Sequence, residues 1–354
     1  MSMFFNTLDD LIVWVIMDAC YPKHARISMN NLMEHAENKW TLLLNDHFQD
    51  YDDFAQSIRG WGVDFRQLKP GRSPASLQQF GVPDLLVTRF NMSQAYDQRG
   101  STPNKMLTIG FLEEAAGMAQ TPEGIISVEN VWCFSSGREF ECTNQADFRA
   151  FGLSVSEALI DEVADTCELR DIHSSLGSNQ VVRCRQRADL DRIRQQLATI
   201  SRILRNSSND QPTMLAPKHD LVRELLEILA GPQEITSLKM TTRKQLVLRR
   251  ALDFLDANPG SPITVHQLAK ETGAGIRTLE YVFRDYYGVT PKAYLSARRL
   301  SGARRELQWQ EIESTLVSDV AHRWGFWHLG RFSADYKRFF GELPSETLDK
   351  NRHM

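Results

Sequence analysis

The chain has 354 residues, of which 42% are hydrophobic and 24% charged, with a formal net charge of −4 at pH 7. This length allows two or three domains with ordinary hydrophobic cores. The five cysteines are odd in number and form no Cys-x-x-Cys pair, so they indicate free thiols of a reducing compartment and argue against a disulfide framework or a zinc site (Cys20, Cys133, Cys142, Cys167, Cys184).

The amino-terminal segment has no targeting signal. Its apolar stretch, Leu11 to Met17, is only seven residues long and follows two aspartates, where a signal peptide would be basic. No apolar run approaches the ~20 residues that a membrane span needs. We therefore expect a cytoplasmic protein without a membrane segment, in which this stretch is a buried strand or helical turn.

Residues 60–155 have the pattern of a β-rich region. The apolar runs LLVTRF, MLTIGFL, ISVENVWCF and REFECT are separated by Gly, Pro and Asn at about ten-residue spacing. No histidine lies between His47 and His173, so this region lacks the imidazoles of a catalytic metal site. The sequence therefore predicts neither a metal nor a cofactor.

No enzyme motif is convincing. Gly60-x-Gly62 lacks the rest of a dinucleotide-binding fingerprint, and the sequence contains no Gly-x-Ser-x-Gly motif. The Asp and Glu residues also show no isolated buried pair of the kind that acid–base catalysis uses. We expect a protein that is not an enzyme. An enzymatic amino-terminal half remains an alternative, which catalytic turnover by residues 1–235 would favour.

Helical patterns follow over residues 156–230. The segment SVSEALIDEVADTC begins with a cap at Ser154 or Ser156. An a/d pattern then runs over two heptads (Leu190, Ile193, Leu197, Ile200, Leu204). A second apolar helix is predicted at Leu221 to Leu229. Two interpretations stay open, a homodimer through this seam or burial against the chain's own β-rich region.

Two polar segments separate these parts. Asn206 to Pro212 (NSSNDQP) has the composition of a loop, and residues 231–243 are polar and without periodicity. The second segment is the predicted linker between an amino-terminal domain of residues 1–235 and a carboxyl-terminal domain of residues 244–354.

The carboxyl-terminal part carries one pattern twice. Its copies are VHQLAKETGAGIRTLEYVFRDYYGVTP, from Val265, and VSDVAHRWGFWHLGRFSADYKRFFGELP, from Val317. Equivalent positions fall at matched separations with one inserted residue (Ala269 and Ala321, Gly273 and Gly325, Leu279 and Phe332, Phe283 and Tyr336, Gly288 and Gly341, Pro291 and Pro344). Such internal similarity indicates a duplicated structural unit.

Each copy has the parts of a helix-turn-helix, at about 264–286 and 317–339. A short helix ends on a glycine suited to the left-handed conformation, and a second helix follows. The predicted buried stripes are Ile276, Leu279 and Phe283 in copy one, and Leu329, Phe332 and Tyr336 in copy two. The remaining residues face outward and suit base edges and phosphates of DNA (Arg277, Thr278, Glu280, Tyr281, Arg284; His328, Arg331, Ser333, Lys337, Arg338).

A connecting helix joins the copies. Thr290 and Pro291 are a helix start, and Lys292 to Leu307 combines an apolar stripe with four arginines. Sixteen residues span about 24 Å, enough to hold two recognition helices about one DNA turn apart. We expect a monomer to read an asymmetric site.

The charge is distributed unevenly. From Lys239 onward there are 19 Lys and Arg against 13 Asp and Glu, a net charge of +6. Because the whole chain has a net charge of −4, the residues before Lys239 have a net charge of −10. A basic module on an acidic body identifies the end expected to meet phosphate.

The carboxyl-terminal third, about residues 244–348, resembles the AraC/XylS family of bacterial transcription regulators. DVAHRWGF followed by F-x-x-x-Y-K-R-F-F-G-x-x-P carries the resemblance. Within the family, RRLSGARREL and the second copy look most like the activators of ethanolamine-utilisation operons. The outward positions of GIRTLEYVFRD differ from that group, so we expect another operator.

The resemblance implies an α+β protein, with a cupin-like, β-rich sensor domain followed by an all-α double helix-turn-helix domain. It implies double-stranded promoter DNA, RNA polymerase and a small-molecule effector as partners, activation rather than repression, and dimerisation through the helical region. The candidate effector-binding residues lie in the β-rich region (Phe65, Arg89, Phe90, Phe111, Trp132). For DNA, we expect Arg277 and Arg331 to contact bases, and Arg284, Lys337 and Arg338 to hold phosphate.

Overall fold

The structure is a computed structural model and describes residues 39–114, 116–122, 124–169, 172, 179–184, 186–206, 217–230, 234–235, 242–309 and 316–352. Several predictions lie outside these residues. They concern the apolar stretch Leu11 to Met17, Cys20, residues 207–212 of the predicted loop, and most of the predicted linker.

Two antiparallel sheets form the amino-terminal part. The larger has the strand order β1-β3-β4-β11-β6-β9-β12-β13, and the smaller has the order β2-β5-β10-β7-β8. The strands are β1 (Thr41–Phe48), β2 (Gly62–Gln67), β3 (Ala75–Val82), β4 (Leu85–Met92), β5 (Tyr96–Ser101), β6 (Met106–Leu112), β7 (Ala119–Gln120), β8 (Ile125–Ile126), β9 (Asn130–Phe134), β10 (Glu139–Asn144), β11 (Phe148–Ser156), β12 (Gln180–Arg183) and β13 (Glu234–Ile235). An aromatic-rich core lies between the sheets, with Phe65 and Phe140 from one and Phe90 and Phe134 from the other.

Helices cover the outer face of the larger sheet. These are α2 (Glu157–Thr166), α3 (Arg187–Asn206) and α4 (Lys218–Ala230), whereas α1 (Tyr51–Ser57) places Tyr51 and Phe54 in the core between the two sheets. Ser156 caps α2, accepting a hydrogen bond from the Leu159 amide, as the sequence predicted. A second core joins α2, α3 and α4 to the sheet.

The heptad seam of α3 is buried within the chain itself. Leu190, Ile193 and Leu197 are each 0% exposed and pack in the core shared with α4 and the larger sheet. Of the two interpretations that the sequence left open, the structure shows the one in which the chain's own β-rich region covers the seam. A homodimer through these residues would require that core to open.

The carboxyl-terminal part is all-helical. Its helices are α5 (Thr242–Asp256), α6 (Val265–Thr272), α7 (Ile276–Tyr287), α8 (Pro291–Trp309), α9 (Val317–Arg323), α10 (Leu329–Phe340) and α11 (Pro344–Arg352). One core packs α5, α6 and α7 around Leu279 and Phe283, and another packs α8 to α11 around Phe332 and Tyr336. The mixed fold class, a β-rich part followed by a helical one, is confirmed.

The duplicated pattern produces duplicated turns. Gly273 and Gly325 have φ of +65° and +75°, the left-handed conformation predicted from sequence. Each turn is closed by the same backbone bond, Ala274 N to Ala269 O at 3.1 Å and Phe326 N to Ala321 O at 2.8 Å. The equivalence therefore extends from side chains to the hydrogen bonds that set the helix crossing.

The connecting helix α8 starts where the sequence predicted. The Thr290 hydroxyl accepts a hydrogen bond from the Ala293 amide at 3.2 Å, and Pro291 occupies the first helical position. The helix has 19 residues, three more than predicted, which corresponds to a length of about 28 Å.

Some expectations were wrong. Ile276 and Leu329, which the sequence assigned to the buried stripes, are 38% and 41% exposed. Each is the first residue of its helix, where the preceding helix does not cover the side chain. The strands begin at Thr41 rather than near residue 60, and Glu234–Ile235, inside the predicted linker, pairs with β12. The sequence of β1, TLLLNDHF, does not alternate between apolar and polar residues, and β13 has only two residues, so neither shows the pattern on which the prediction relied.

In the part of the chain that the structure describes, we find no helix with both the length and the apolar character of a membrane span.

Gly302 provides a test of how α8 and α9 pack. A Cβ placed there would lie 2.1 Å from the Trp324 ring, whose Nε1 donates to Glu306 Oε2 at 2.6 Å. We expect Gly302→Ala to lower the free energy of unfolding by about 1–3 kcal/mol, since overpacking outweighs the better helix propensity of alanine. Gly330, with no atom within 4 Å of such a Cβ, is the matched control. Urea denaturation should show Gly330→Ala unchanged or more stable, and equal effects would contradict the packing.

Candidate nucleic-acid interface and barrel cavity

The outward face of α7 is free of the chain's own packing. Arg277, Thr278, Glu280 and Arg284 are all exposed, as predicted, and Tyr281 is 54% exposed. Leu279, Val282 and Phe283 hold the opposite face in the core. The helix thus presents a row of polar side chains that a major groove could receive.

Lys244 of α5 extends this face. Its ammonium lies 4.0 Å from the Tyr281 ring centroid and 4.0 Å from Asp285 Oδ2. A cation over the ring holds the tyrosine against the helix. Sequence reasoning missed Lys244 because α5 lies outside the repeated pattern.

The second copy presents an equivalent face on α10. His328, Arg331, Lys337 and Arg338 are exposed, Arg331 at 83% for its side chain, and Ser333 is half-buried. The Arg338 guanidinium lies 2.7 Å from Asp335 and that of Arg331 3.8 Å from it. Exposed pairs such as these contribute little to stability, so both arginines can exchange the carboxylate for another partner.

Packing between the copies fixes their relative orientation. A Cβ at Gly325 would lie 2.7 Å from Pro262, so the turn of the second copy meets the segment before α6 closely. The Arg299 guanidinium of α8 lies 4.9 Å from the Phe326 ring centroid. The two outward faces are therefore held on one rigid unit by contacts on both sides of α8.

A cavity lies between the two sheets of the amino-terminal part. It encloses about 540 Å³ of space unoccupied by protein atoms, including the part that opens toward solvent. Sixteen residues line it, and nine of them are aromatic. The part of this space that is open to the centre of a water-sized molecule is about 50 Å³.

The structure brings four of the five predicted effector residues together. Phe65, Phe90, Phe111 and Trp132 all line the cavity. Arg89 does not, and that prediction was wrong. As the neighbour of Phe90 on β4 it points to the other face of the sheet, where its guanidinium binds Glu113 at 2.5 and 2.9 Å.

The cavity also contains residues that the sequence analysis missed. Trp61, Gln98, Phe134 and Phe140 line it, and strand alternation within β9 and β10 was the signal that could have found the last two. The indole N–H groups of Trp61 and Trp132 are buried without a hydrogen-bond partner. Trp132 is 6% exposed.

Arg304 of α8 joins the two parts of the molecule. Its guanidinium is 3% exposed and binds Asp50, Asp52 at 3.0 Å and Glu342 at 2.7 Å. It also lies 5.7 Å from the Tyr51 ring and 4.7 Å from the Phe340 ring. Since Asp50 and Asp52 belong to the start of α1, one buried side chain ties the helix between the copies to the sheet domain.

Strands β2 and β5 of the smaller sheet complete the contact. Arg305 lies 2.5 Å from Asp64, and Arg66 donates to Asp97 at 2.8 Å and to the Tyr294 hydroxyl at 3.1 Å. Further bonds join Arg99 and Arg298 to Asp256 of α5, and Gln67 Nε2 to the Phe339 carbonyl at 3.2 Å.

Burial and charge move the carboxyl pKa values of this interface in both directions. Burial alone would raise the pKa of Asp64, but the charges of Arg305 and Arg66 outweigh it and hold the pKa below its usual value. Arg99 and Arg298 do the same for the pKa of Asp256 against its burial. Burial raises the pKa of Asp52 to about 7 against the charge of Arg305. Asp64 and Asp256 are thus ionised at neutral pH.

Comparisons with known proteins concern mainly the helical part. Residues 268–350 match the model of a helix-turn-helix domain family. A probable thc operon regulatory protein of Rhodococcus erythropolis is 40% identical over 102 residues, 29% of this chain and 31% of that protein. A XylDLEGF operon transcriptional activator of Pseudomonas putida is 31% identical over 128 residues, 36% of this chain and 39% of that protein.

A solved structure of an AraC-type transcriptional regulator from Chromobacterium violaceum is 30% identical, with a TM-score of 0.28, and the match covers 30% of this chain and 93% of that one. The matched segments span about a third of the length of the thc relative and two fifths of the xyl relative. These relatives are xyl and thc operon regulators, so the expected closeness to ethanolamine-operon activators is not shown.

Removing the Arg304 guanidinium should separate the two parts. We expect Arg304→Ala to lower the free energy of unfolding by about 3–5 kcal/mol, since three carboxylates lose a buried partner. Arg223→Ala, which breaks exposed pairs with Asp220 and Glu227, is the control and should change little. Denaturation curves measure the stability, and small-angle X-ray scattering should show a larger radius of gyration for Arg304→Ala alone. An unchanged radius and stability would refute the role of this side chain.

Proposed function

We propose that this chain is a transcription activator of the AraC/XylS family rather than an enzyme, controlled by a small molecule. The match of its carboxyl-terminal part to a helix-turn-helix family and to a xyl operon activator supports this proposal. The protein binds double-stranded promoter DNA in the cytoplasm, on the bacterial nucleoid, and positions RNA polymerase there. The observation that carries the proposal is the pair of equivalent, exposed polar faces on α7 and α10, held in one rigid unit.

The spacing of these faces favours one DNA molecule as the partner of both. The connecting helix of 19 residues is about 28 Å long, close to the ~34 Å that separates successive major grooves on one side of the duplex. The two faces carry different residues, Arg277 and Tyr281 on one and Arg331 and Lys337 on the other. A single chain would therefore read an asymmetric site.

Roles within each face follow from side-chain chemistry. Arg277 and Arg331, near the starts of their helices, would read guanine edges, while Arg284, Lys337 and Arg338, in the last turns, would hold phosphate. Thr278, Glu280, Tyr281, His328 and Ser333 would supply the remaining contacts along the same faces.

The exposed first residues of the two helices add an apolar element. Ile276 and Leu329 occupy equivalent positions, three residues before the buried Leu279 and Phe332, and solvent reaches both. An aliphatic side chain at the start of a recognition helix suits the methyl group of thymine. This would account for two apolar residues that no core covers.

The cavity between the sheets is the proposed effector site, lined by Phe65, Phe90, Phe111 and Trp132. The smaller sheet connects it to the DNA-binding part through alternate residues of two strands. On β2, Val63 and Phe65 line the cavity while Asp64 binds Arg305. On β5, Gln98 lines the cavity while Arg99 binds Asp256.

This two-sided sheet supports a mechanism for control. A ligand that moves the inner side chains of β2 or β5 also moves the carboxylates and guanidiniums that hold α5 and α8. A ligand shifts the balance between two domain arrangements only by binding one of them better. We propose that the docked arrangement shown here and a released one are those two states.

DNA recognition is tested with a site selected from a random library by the wild-type chain. We expect Arg331→Ala to weaken binding to that site by about 1–3 kcal/mol and to lose discrimination at one base pair. Lys337→Ala should instead weaken binding to all sequences alike and reduce the salt slope by about 1. Fluorescence anisotropy at several salt concentrations measures both.

Arg223→Ala, on α4, is the control for a lost surface arginine and should leave DNA binding unchanged. If Arg331→Ala and Lys337→Ala lose affinity equally for every sequence, the assignment of base and phosphate contacts is wrong. If the wild-type chain selects no sequence, the proposed function itself fails.

A further inference from the structure

The surface of the barrel cavity is unusual in carrying no charge. Among the described residues that line it, nine are aromatic and none is Asp, Glu, Lys, Arg or His. The nearest guanidiniums are already engaged. That of Arg89 lies over the Phe151 ring and binds Glu113, and that of Arg194 lies over the Phe111 ring and binds Asp191 and backbone carbonyls.

This arrangement disfavours an anionic ligand. A carboxylate entering the cavity would lose its hydration and meet no cation, and a buried charge without a partner is strongly unfavourable. Polyols fit equally poorly, because they need many polar partners. Apart from the indoles, Gln98 supplies the polar side chain, and its Nε2 already donates to Asn144 Oδ1 at 2.6 Å.

Two hydrogen-bond donors nevertheless remain unused. The indole N–H groups of Trp61 and Trp132 are buried, find no acceptor among the residues that the structure describes, and belong to side chains that line the cavity. Both rings pack edge-on against Phe140, with interplanar angles of 85° and 89°. Buried polar groups in proteins are ordinarily hydrogen-bonded, so two orphaned donors in one apolar cavity indicate an acceptor supplied from outside the chain.

The aromatic lining of the cavity favours a ligand that contains a ring. Gly152 faces Trp61 so closely that a Cβ would lie 3.2 Å from the indole, and at Gly110 it would lie 3.4 Å from the Phe134 ring. These glycines give the aromatic rings room to stand between the sheets. The exposed ring faces and edges then offer stacking and edge-to-face contacts to another ring.

We propose that the cavity binds an uncharged aromatic molecule that carries a hydrogen-bond-accepting oxygen, which the Trp61 and Trp132 indoles hold. The inference rests on the proposed function only in treating the cavity as the effector site. It names the chemical class of the effector and excludes carboxylates and sugars.

Three probes of nine non-hydrogen atoms test this class on the full-length protein. Acetophenone carries the acceptor, isopropylbenzene has the same number and branching of non-hydrogen atoms without it, and benzoate is the anion. By isothermal titration calorimetry we expect acetophenone to bind about 5–10-fold more tightly than isopropylbenzene, the effect of one net hydrogen bond. Benzoate should give no measurable binding at concentrations at which acetophenone saturates.

Substitutions identify the donors. Trp132→Phe and Trp61→Phe each remove an N–H and keep a ring, so at least one should bring the acetophenone to isopropylbenzene ratio to about 1. Trp40→Phe is the matched control, because Trp40 is buried in the same domain but outside the cavity, and it should retain the wild-type ratio. The ratio stays informative for a destabilised variant because both probes are measured on the same protein.

Three results would each overturn the proposal. They are tightest binding of benzoate, an acetophenone to isopropylbenzene affinity ratio near 1 in the wild-type protein, and no binding of acetophenone at millimolar concentration. Sequence-specific DNA binding by the same preparation is a separate readout. If it persists while the probe preference is absent, the ligand class alone is wrong. If acetophenone binds as expected but no DNA sequence is preferred, the proposed function fails and the chemistry of the cavity stands.

Discussion

The arrangement of this molecule depends on one buried guanidinium. Arg304 lies in the carboxyl-terminal third of the helix that connects the two helix-turn-helix units, and it binds two carboxylates of the sheet domain and one from the loop before α11. The Tyr51 and Phe340 rings on either side exclude water from the cluster. Because a guanidinium has a fixed planar fork, its carboxylates must approach in set directions. Arg304 therefore constrains both the distance and the angle between the two parts, together with the contacts of β2 and β5.

The remaining contacts share this polar character. The bonds from Arg305 to Asp64, from Arg66 to Tyr294 and from Arg99 to Asp256 are all made by charged or hydroxyl groups. Leu68 and Ala95 supply an apolar contribution from the sheet domain. Interfaces of this composition resemble those between proteins that associate and separate, whereas an apolar interface would be permanent. The structure thus combines a helix-turn-helix unit with a docking surface of the polar kind that the proposed release requires.

The sequence predicted the helical part in more detail than the sheet part, and the reasons are physical. The duplicated pattern located both turns, because Gly273 and Gly325 are needed there and the spacing between them is fixed by helix geometry. The same periodicity failed at Ile276 and Leu329, since a helical period does not reveal where a helix begins. Aromatic runs located four residues of the cavity, but not the side of the strand on which Arg89 lies.

The contacts between the parts could not have been predicted from one sequence. Asp50 and Arg304 are separated by more than 250 residues, and nothing in their neighbourhoods marks either as buried. Polar residues in local patterns are expected at the surface, and only the tertiary structure shows that Arg304 is enclosed. Local sequence patterns carry little information about which residues form ion pairs across long stretches of the chain.

The polar interface and the apolar cavity have complementary consequences for control. A buried ion pair contributes little net stability over an apolar contact of the same size, but misplacing one partner leaves the other charge buried and unpaired. Asp64 is the direct chain neighbour of Val63 and of Phe65, so in the proposed mechanism a ligand that moves the cavity wall displaces a charged group. The proposed mechanism therefore predicts that small movements on one side of β2 change the free energy of the ion pair on the other side. An apolar docking surface in the same place would deform gradually and transmit less.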